Sequence, residues 1–329
     1  MDVARLVGVS QKTVSRVFNN EPTVSEETRE RVLAAAQQLG YRPNTAARAL
    51  LTGRHHRIGV VSLGTAHFGP SALLVALERA ARRISYSLTV ATSFEDDPGG
   101  LKAAVDNLLV QGVDAIILSE PVDESDDPLV IDVPVLALGA TPEVQAPTVL
   151  SVRAAEGGDA AAEVTRYLLE LGHRTVHHIA GPQQWWAARE RRQNWSASLV
   201  AANAAVPDAL TGDWTSRSGY ELGRELARDP EVTAIFAAND EMAIGALRSL
   251  HEAGRQVPGD VSVAGFDDIP IAAYVWPSLT TVSSDNAELA EIGLRYLTDF
   301  LNDPDHAPPP PPQHVHRMVI RNSTARPST

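Results

Sequence analysis

Gln11, Lys12 and Arg16 lie close together in the stretch 10–19, whose apolar residues Val14, Val17 and Phe18 recur at helical spacing. On one exposed helix face, an amide, an ammonium and a guanidinium can read base edges. Gln pairs with adenine, and Lys and Arg donate to guanine O6 and N7. Ser10, Thr13, Ser15, Asn19 and Thr23 add short polar groups suited to phosphate oxygens, which position a duplex without specifying its sequence. A second constellation lies far along the chain. Asn239-Asp240 follows Phe236-Ala237-Ala238, Asp267-Asp268 follows Ala264-Gly265-Phe266, and Arg191 comes after the Gly181-Pro182 turn. An Arg, an Asn and an Asp converging on a cleft would hold adjacent hydroxyls of a neutral polyhydroxyl ligand. Trp185, Trp186, Trp214 and Phe68 supply aromatic faces for the apolar side of a sugar ring. Asp240 reads equally well as a helix cap, and Trp195 reads as core.

The first constellation needs short helices. Residues 2–7 and 10–19 have that spacing, with Gly8 free to take the positive φ of a tight turn and Ser10 able to cap the second helix. A third helix starts near Ser25, with Glu26 and Glu27 at its positive end. It is expected to bury Val32, Leu33, Ala36 and Leu39 and to end at Gly40. Three such helices make a helix-turn-helix whose second helix enters the major groove. Taken alone, the pattern also fits an ordinary amphipathic surface helix at 10–19. The segment after it adds weight: Pro43 breaks the chain, Asn44 can cap, residues 45–51 favour helix and Gly53 stops it. Two turns are too short to be stable alone, so this hinge helix is expected to form only against DNA and a partner subunit. Its alanines allow close approach and leave Leu50 as an apolar wedge for the minor groove.

The second constellation needs strand ends. From Arg57 onward, short β-branched runs alternate with helical stretches. Strands are expected at 58–61, 88–91, 115–118 and 135–138, with helices at 71–84 and 99–111. A second series has helices at 157–171, 187–202, 217–228 and 240–253, and strands at 175–180, 234–237 and 262–266. Two parallel α/β lobes result, with a ligand cleft at the carboxyl ends of their strands. Helix 287–301 should return to the first lobe and strand 317–320 to the second. The Pro308–Pro312 run between them reads as a stiff, exposed connector.

Composition narrows the chemistry. The 329 residues carry a net charge of −13, unevenly placed: up to Arg57 there are nine Lys/Arg against five Asp/Glu, and beyond it nineteen against thirty-six. A basic head on an acidic body fits a polyanion at one end and something else at the other. With no cysteine, disulfides and thiolate chemistry are excluded, and no cofactor or metal is expected. There is no Walker or dinucleotide-binding glycine pattern and no evident nucleophile–base pair, which argues against an enzyme. Met1-Asp2-Val3-Ala4-Arg5 lacks the pattern of a signal peptide, and no apolar stretch reaches membrane-spanning length, so a cytoplasmic protein is expected.

These motifs together resemble the lactose/galactose-repressor family of bacterial transcription regulators. The matching residues are Asp-Val-Ala at 2–4, Gly-Val-Ser at 8–10, Thr-Val-Ser-Arg-Val at 13–17 and Gly-Tyr-x-Pro-Asn-x-x-Ala-Arg at 40–48. Ala238-Asn239-Asp240-Glu241-Met242-Ala243-Ile244-Gly245, Gly265-Phe266-Asp267-Asp268 and Pro277-x-Leu-Thr-Thr at 277–281 complete the set. The resemblance implies a small all-α helix-turn-helix DNA-binding domain (1–43), then a hinge helix and linker (44–56). An α/β two-lobe, periplasmic-binding-protein-like effector and dimerisation domain (57–321) follows. Lobe 1 would comprise 57–150 and 284–306, lobe 2 would comprise 151–283 and 313–321, and 322–329 would be a tail.

By the same resemblance, Gln11, Lys12 and Arg16 stand at base-reading positions, Leu50 intercalates, and Tyr41, Asn44 and Ala47 join the DNA-contacting set. Arg191, Asn239 and Asp267 would touch a sugar effector, Trp214 would stack on it alongside Trp185, and the loop containing Phe68 and Ser71 would help cover it. The implied protein is a homodimer on pseudo-palindromic operator DNA, a repressor released by a sugar, with a galactoside favoured. Gly139 and Ser284 stand where lactose-responsive members carry a ligand-binding aspartate and a glutamine, which leaves the exact sugar open. Members usually carry residues ahead of Asp-Val-Ala, including a Thr that caps helix 1. Here Met1 abuts Asp2, so either the start lies upstream or that helix frays and DNA affinity falls. No leucine heptad follows Ile320, so a dimer rather than a tetramer is expected. A nucleobase- or corepressor-dependent regulator on the same scaffold is the alternative, and a stand-alone sugar-binding protein is a more distant one.

Overall fold

The computed structural model describes residues 2–18, 23–41, 54–63, 67–93, 100–119, 128–139, 141–152, 160–283, 285–306, 308–309 and 316–328. Asn19, Ser284, the expected hinge helix with Asn44, Ala47 and Leu50, and Pro310–Pro312 of the proline run lie outside the described residues. The chain divides into two units, Met1–His55 and His56–Thr329.

In the first unit, α1 (Asp2–Val7), α2 (Gln11–Phe18) and α3 (Glu26–Gln38) enclose Val3, Ala4, Val7, Val14, Val17, Val32, Ala35 and Ala36. Gly8, at φ +72°, makes the tight turn between the first two helices. The Ser10 hydroxyl accepts from the Thr13 backbone N–H at 3.0 Å and so caps α2. Ser25 caps α3 through the Thr28 N–H. Arg31 donates to the Val7 carbonyl at 2.8 Å and Arg29 to that of Val17 at 3.3 Å, which ties α3 to the ends of both shorter helices. The expected α3 core needs correcting: Leu33 and Leu39 are exposed (46% and 45%) and Ala35 is buried instead. Leu33 lies a quarter-turn from Val32, and Leu39 is already the C-cap, where the helix leaves its partners.

The second unit holds two parallel sheets. In lobe 1, β1 (Arg57–Leu63), β2 (Ser87–Ser93), β3 (Ala115–Ser119), β5 (Val135–Leu138) and β7 (Val149–Val152) run in the order β2-β1-β3-β5-β7. Alternate strand residues face opposite sides. Val60, Ile117 and Leu136 meet α4 (Phe68–Arg83) and α10 (Asn286–Asn302), while Val61, Ile116 and Leu118 meet α5 (Gly100–Val110). The short strands β4 (Leu129–Val130) and β6 (Val144–Gln145) pair with each other. The lobe-1 sheet runs past the expected boundary at 150, because β7 pairs with β5 as far as Val152.

In lobe 2, β8 (His177–Ala180), β9 (Leu210–Thr211), β10 (Ala234–Ala237) and β11 (Ser262–Ala264) form the order β11-β10-β8-β9. Helices α6 (Ala160–Glu170) and α7 (Trp186–Ala201) cover one face around Phe236 and Trp195. Helices α8 (Ser216–Leu226) and α9 (Asp240–Glu252) help cover the other, around Ile235 and Ala237. Strand β12 (Thr281–Ser283) leads into α10 of lobe 1, and β13 (Arg317–Val319) pairs antiparallel with it on the return.

Residues 322–328 are no loose tail. Ser323 is fully buried, accepts from the Thr280 N–H at 2.8 Å and donates to the Val263 carbonyl at 2.6 Å, and the Val263 N–H reaches the Ser323 carbonyl at 2.8 Å. Edge strand β11 has backbone groups that must be paired, and this segment pairs them. Among the described residues, no helix is long and apolar enough to cross a membrane.

Candidate functional site

Val14 and Val17 turn one face of α2 into the core of the head, which leaves Ser10, Gln11, Lys12 and Ser15 exposed on the other. Thr13 and Arg16 are half-buried at its margin, and Thr23 and Tyr41 are exposed. The Tyr41 ring lies 5.6 Å from that of Phe18, which ties the end of α3 to the end of α2. The Ser10 hydroxyl is engaged with both Thr13 groups, so its first task here is capping.

In the second unit, a narrow, half-open pocket lies at the carboxyl ends of β1, β8, β9, β10 and β11. Parallel sheets gather their functional loops at this edge. Lobe 1 contributes His67, Phe68, Gly69 and Pro70 at the start of α4. Lobe 2 contributes Trp185, Ala187, Arg191, Trp214, Asn239, Glu241 and Asp267.

Each side chain is held by a local device. Arg191 projects from the second turn of α7. Its Nη1 donates to the Ala238 carbonyl at 2.6 Å, its Nη2 lies 3.7 Å from Asp267 Oδ1, and its guanidinium lies over the Phe266 ring at 3.8 Å. Asn239 is the N-cap of α9: its Oδ1 accepts from the Met242 N–H, and its Nδ2 donates to the Trp214 carbonyl and to Glu241 Oε2, all at 2.9 Å. Trp214 is 4% exposed, packs its six-membered ring on Gly181 and meets Trp185 edge-on at 5.3 Å, but its indole N–H has no partner among the described residues.

Trp214, Asp267 and Asp268 all sit at positive φ (70°, 106° and 52°), a conformation that costs a non-glycine residue about 1–3 kcal/mol and clusters at working sites. Asp267 is fixed there by its N–H to the Val282 carbonyl at 2.9 Å, and Asp268 by Arg321 at 2.6 Å. Behind this corner Asp240 is fully buried. It accepts from Thr281 Oγ1 at 2.5 Å and from the Ile269 N–H at 2.8 Å, and burial pushes its carboxyl up to about 7 against the pull of those bonds. Asp240 is therefore a tie between α9 and β12, and the capping expected of it falls to Asn239.

Residues 1–44 match the model of bacterial regulatory proteins of the lacI family, and residues 165–324 match that of a periplasmic binding protein-like domain. The chain is 32% identical over 310 residues to the ribose operon repressor of Escherichia coli strain K12, covering 92% of this chain and 93% of that protein. It is 34% identical over 301 residues to the lactose operon repressor of the same strain, covering 90% and 82%. The chain belongs to the lacI family. The fold of this lacI-family chain agrees: the lac repressor bound to ONPG in its repressed state superposes with TM-score 0.79 at 31% identity, over 98% of each chain. It is thus a sequence-specific DNA-binding regulator with a helix-turn-helix head and a periplasmic-binding-like body.

Within that lacI-family frame, Phe68, Trp185, Arg191, Trp214, Asn239 and Asp267 come together in one pocket. Ser71 does not line it; it is exposed, nearly one helical turn beyond Phe68. Trp186 is also outside the pocket, with Arg189 over its ring at 4.4 Å. Trp195 is core, its indole N–H bonded to the Val176 carbonyl at 2.9 Å. Ala187 and Glu241 are lining residues that the sequence did not single out. Glu241 was legible as the residue two past the capping Asn239, but a carboxylate in a first helical turn also reads as a partner for the helix dipole.

Proposed function

We propose that this regulator represses sugar-utilisation genes and releases its operator when a neutral saccharide occupies the cleft between its lobes. One observation carries the reading. A single pocket gathers a guanidinium, an imidazole, two carboxylates and the rings of Phe68, Trp185 and Trp214, with walls drawn from both lobes. Carboxylates accept from sugar hydroxyls, the guanidinium donates to them, and the rings cover apolar C–H faces. Because both lobes contribute, occupancy biases the angle between them, and differential binding to two arrangements is what shifts such an equilibrium. The names of the ribose and lactose operon repressors support a sugar as the effector class, with a galactoside as one candidate.

DNA recognition is assigned to α2. Gln11, Lys12 and Arg16 read bases, and Ser10, Thr13, Ser15, Asn19 and Thr23 contact phosphates. Tyr41, Asn44, Ala47 and Leu50 act at the hinge. The working form is a cytoplasmic homodimer on a pseudo-palindromic site, with the first lobes in contact below the hinges and Leu50 of each subunit entering the minor groove at the centre.

A thermal-unfolding screen against neutral mono- and disaccharides tests the ligand assignment. At least one should raise the melting temperature of the wild type, and Arg191→Ala should lose most of that rise. A saccharide that stabilises both proteins equally would remove Arg191 from the site, and no response to any would reject the sugar reading.

A further inference from the structure

The hydrogen-bond inventory of the pocket is lopsided. Both hydrogens of the Asn239 amide are spent, one on the Trp214 carbonyl and one on Glu241. The pocket's arginine, Arg191, already faces Asp267 at 3.7 Å and donates to the Ala238 carbonyl. Glu241 has that single amide N–H and no ion-pair partner among the described residues. Glu241 lies within electrostatic reach of the buried Asp240, whose carboxyl it helps to raise, while Asp268 is paired with Arg321. The lining carboxylates Glu241 and Asp267 outnumber Arg191, and the other side-chain donors along the wall are the remaining guanidinium N–H groups, the His67 ring and the buried indole N–H of Trp214.

From this we infer that Glu241 is a charge filter: with Asp267 it makes the cleft reject saccharides that carry a phosphate ester or a carboxylate and accept donor-rich neutral or amine-bearing ones. The inference rests on the saccharide reading and sharpens it. An anionic substituent would meet an uncompensated carboxylate with the nearby guanidinium already committed, and like charges brought together in a partly dry site oppose binding. A hydroxyl or an ammonium, in contrast, supplies the donors that Glu241 lacks. Glu241 could have served only the positive end of α9 as a first-turn acid. That role would leave ligand selectivity untouched, which makes selectivity the quantity to measure.

The test is isothermal titration of the full-length protein with four probe types built on one ring: the neutral sugar, its phosphate ester, its uronic acid and its 2-amino derivative. The ring is whichever sugar, charged or neutral, gives the largest thermal shift. The wild type should bind the neutral and amino forms at least ~10-fold more tightly than either anion. Glu241→Gln, which keeps an acceptor oxygen for Asn239, should shrink that ratio to within about threefold. An anion bound as tightly as its neutral parent by the wild type would overturn the filter while leaving the saccharide reading intact. So would an unchanged ratio in Glu241→Gln. Binding of none of the four would overturn both.

Discussion

Arg191 does three things at once. It closes the end of β10 through the Ala238 carbonyl, stacks on Phe266 and faces Asp267 on the same wall of the cleft. Those fixed contacts hold the guanidinium in place before a ligand arrives, and preorganisation of this kind lowers the ordering cost of binding. Its helical position and its convergence with Asn239 and Asp267 on one cleft were readable from the sequence; its pairing with Asp267 was not. The burial of Trp214 and the double commitment of the Asn239 amide were not, because they depend on how three loops meet. His178 makes a separate residue-scale point. It is fully buried between the rings of Trp195 and Phe236, donates from Nδ1 to the Phe236 carbonyl at 2.8 Å, and is held down at about 4 by burial. The unfolded chain takes up this proton first as pH falls from ~6.5 to ~4, so the stability His178 supports is present above that window and lost within it. The loss is at most about 3 kcal/mol. Asp240 has the opposite sign: its raised value makes stability fall as pH rises through about 7. His178→Phe should remove the acid-side loss, so in urea unfolding the wild type should lose stability relative to the variant as pH falls from 7 to 4.5. Parallel pH profiles would show that the buried imidazole is not the group responsible.

At the scale of elements, the parallel strands and long helices follow from hydrophobic period, and their order was legible. The elements that escaped are short or at edges. Strands β9 and β12 have two and three residues, and β7 begins after a loop with no strong signal. Their existence depends on neighbours that need hydrogen bonds rather than on their own pattern. Close packing was equally hidden. A Cβ at Gly245 would strike the Ser216 carbonyl and the Tyr220 N–H, and one at Gly219 would strike the Met242 backbone, so α8 and α9 lie backbone to backbone. Gly245→Ala should therefore lower the thermal midpoint by several degrees, in line with ~1–3 kcal/mol for overpacking, despite alanine's better helix propensity. An unchanged or raised midpoint would mean that the two helices separate without cost. The β12–β13 ribbon carries the chain from lobe 2 to lobe 1 and back. Thr281 in β12 bonds the buried Asp240, and Arg321, just past β13, holds Asp268. The corner that positions Asp267 is thus fastened to the crossover itself.

For the whole molecule, the division of charge is the property most easily read from sequence: a basic head and an acidic body on one chain. An acidic body disfavours nonspecific DNA contact, so affinity is concentrated in the head. Under the proposed function, linkage requires the coupling of the two ends to be reciprocal, with ~1–3 kcal/mol typical of such switches. The most direct measurement is fluorescence anisotropy on a duplex that the full-length protein selects from a random pool, with and without the saccharide that raises its melting temperature. Wild-type affinity should fall by about 5–150-fold when the saccharide is added, and that of Arg191→Ala should stay constant. Equal affinity for the duplex in both conditions, or no duplex enriched by selection, would contradict a cleft that governs DNA release.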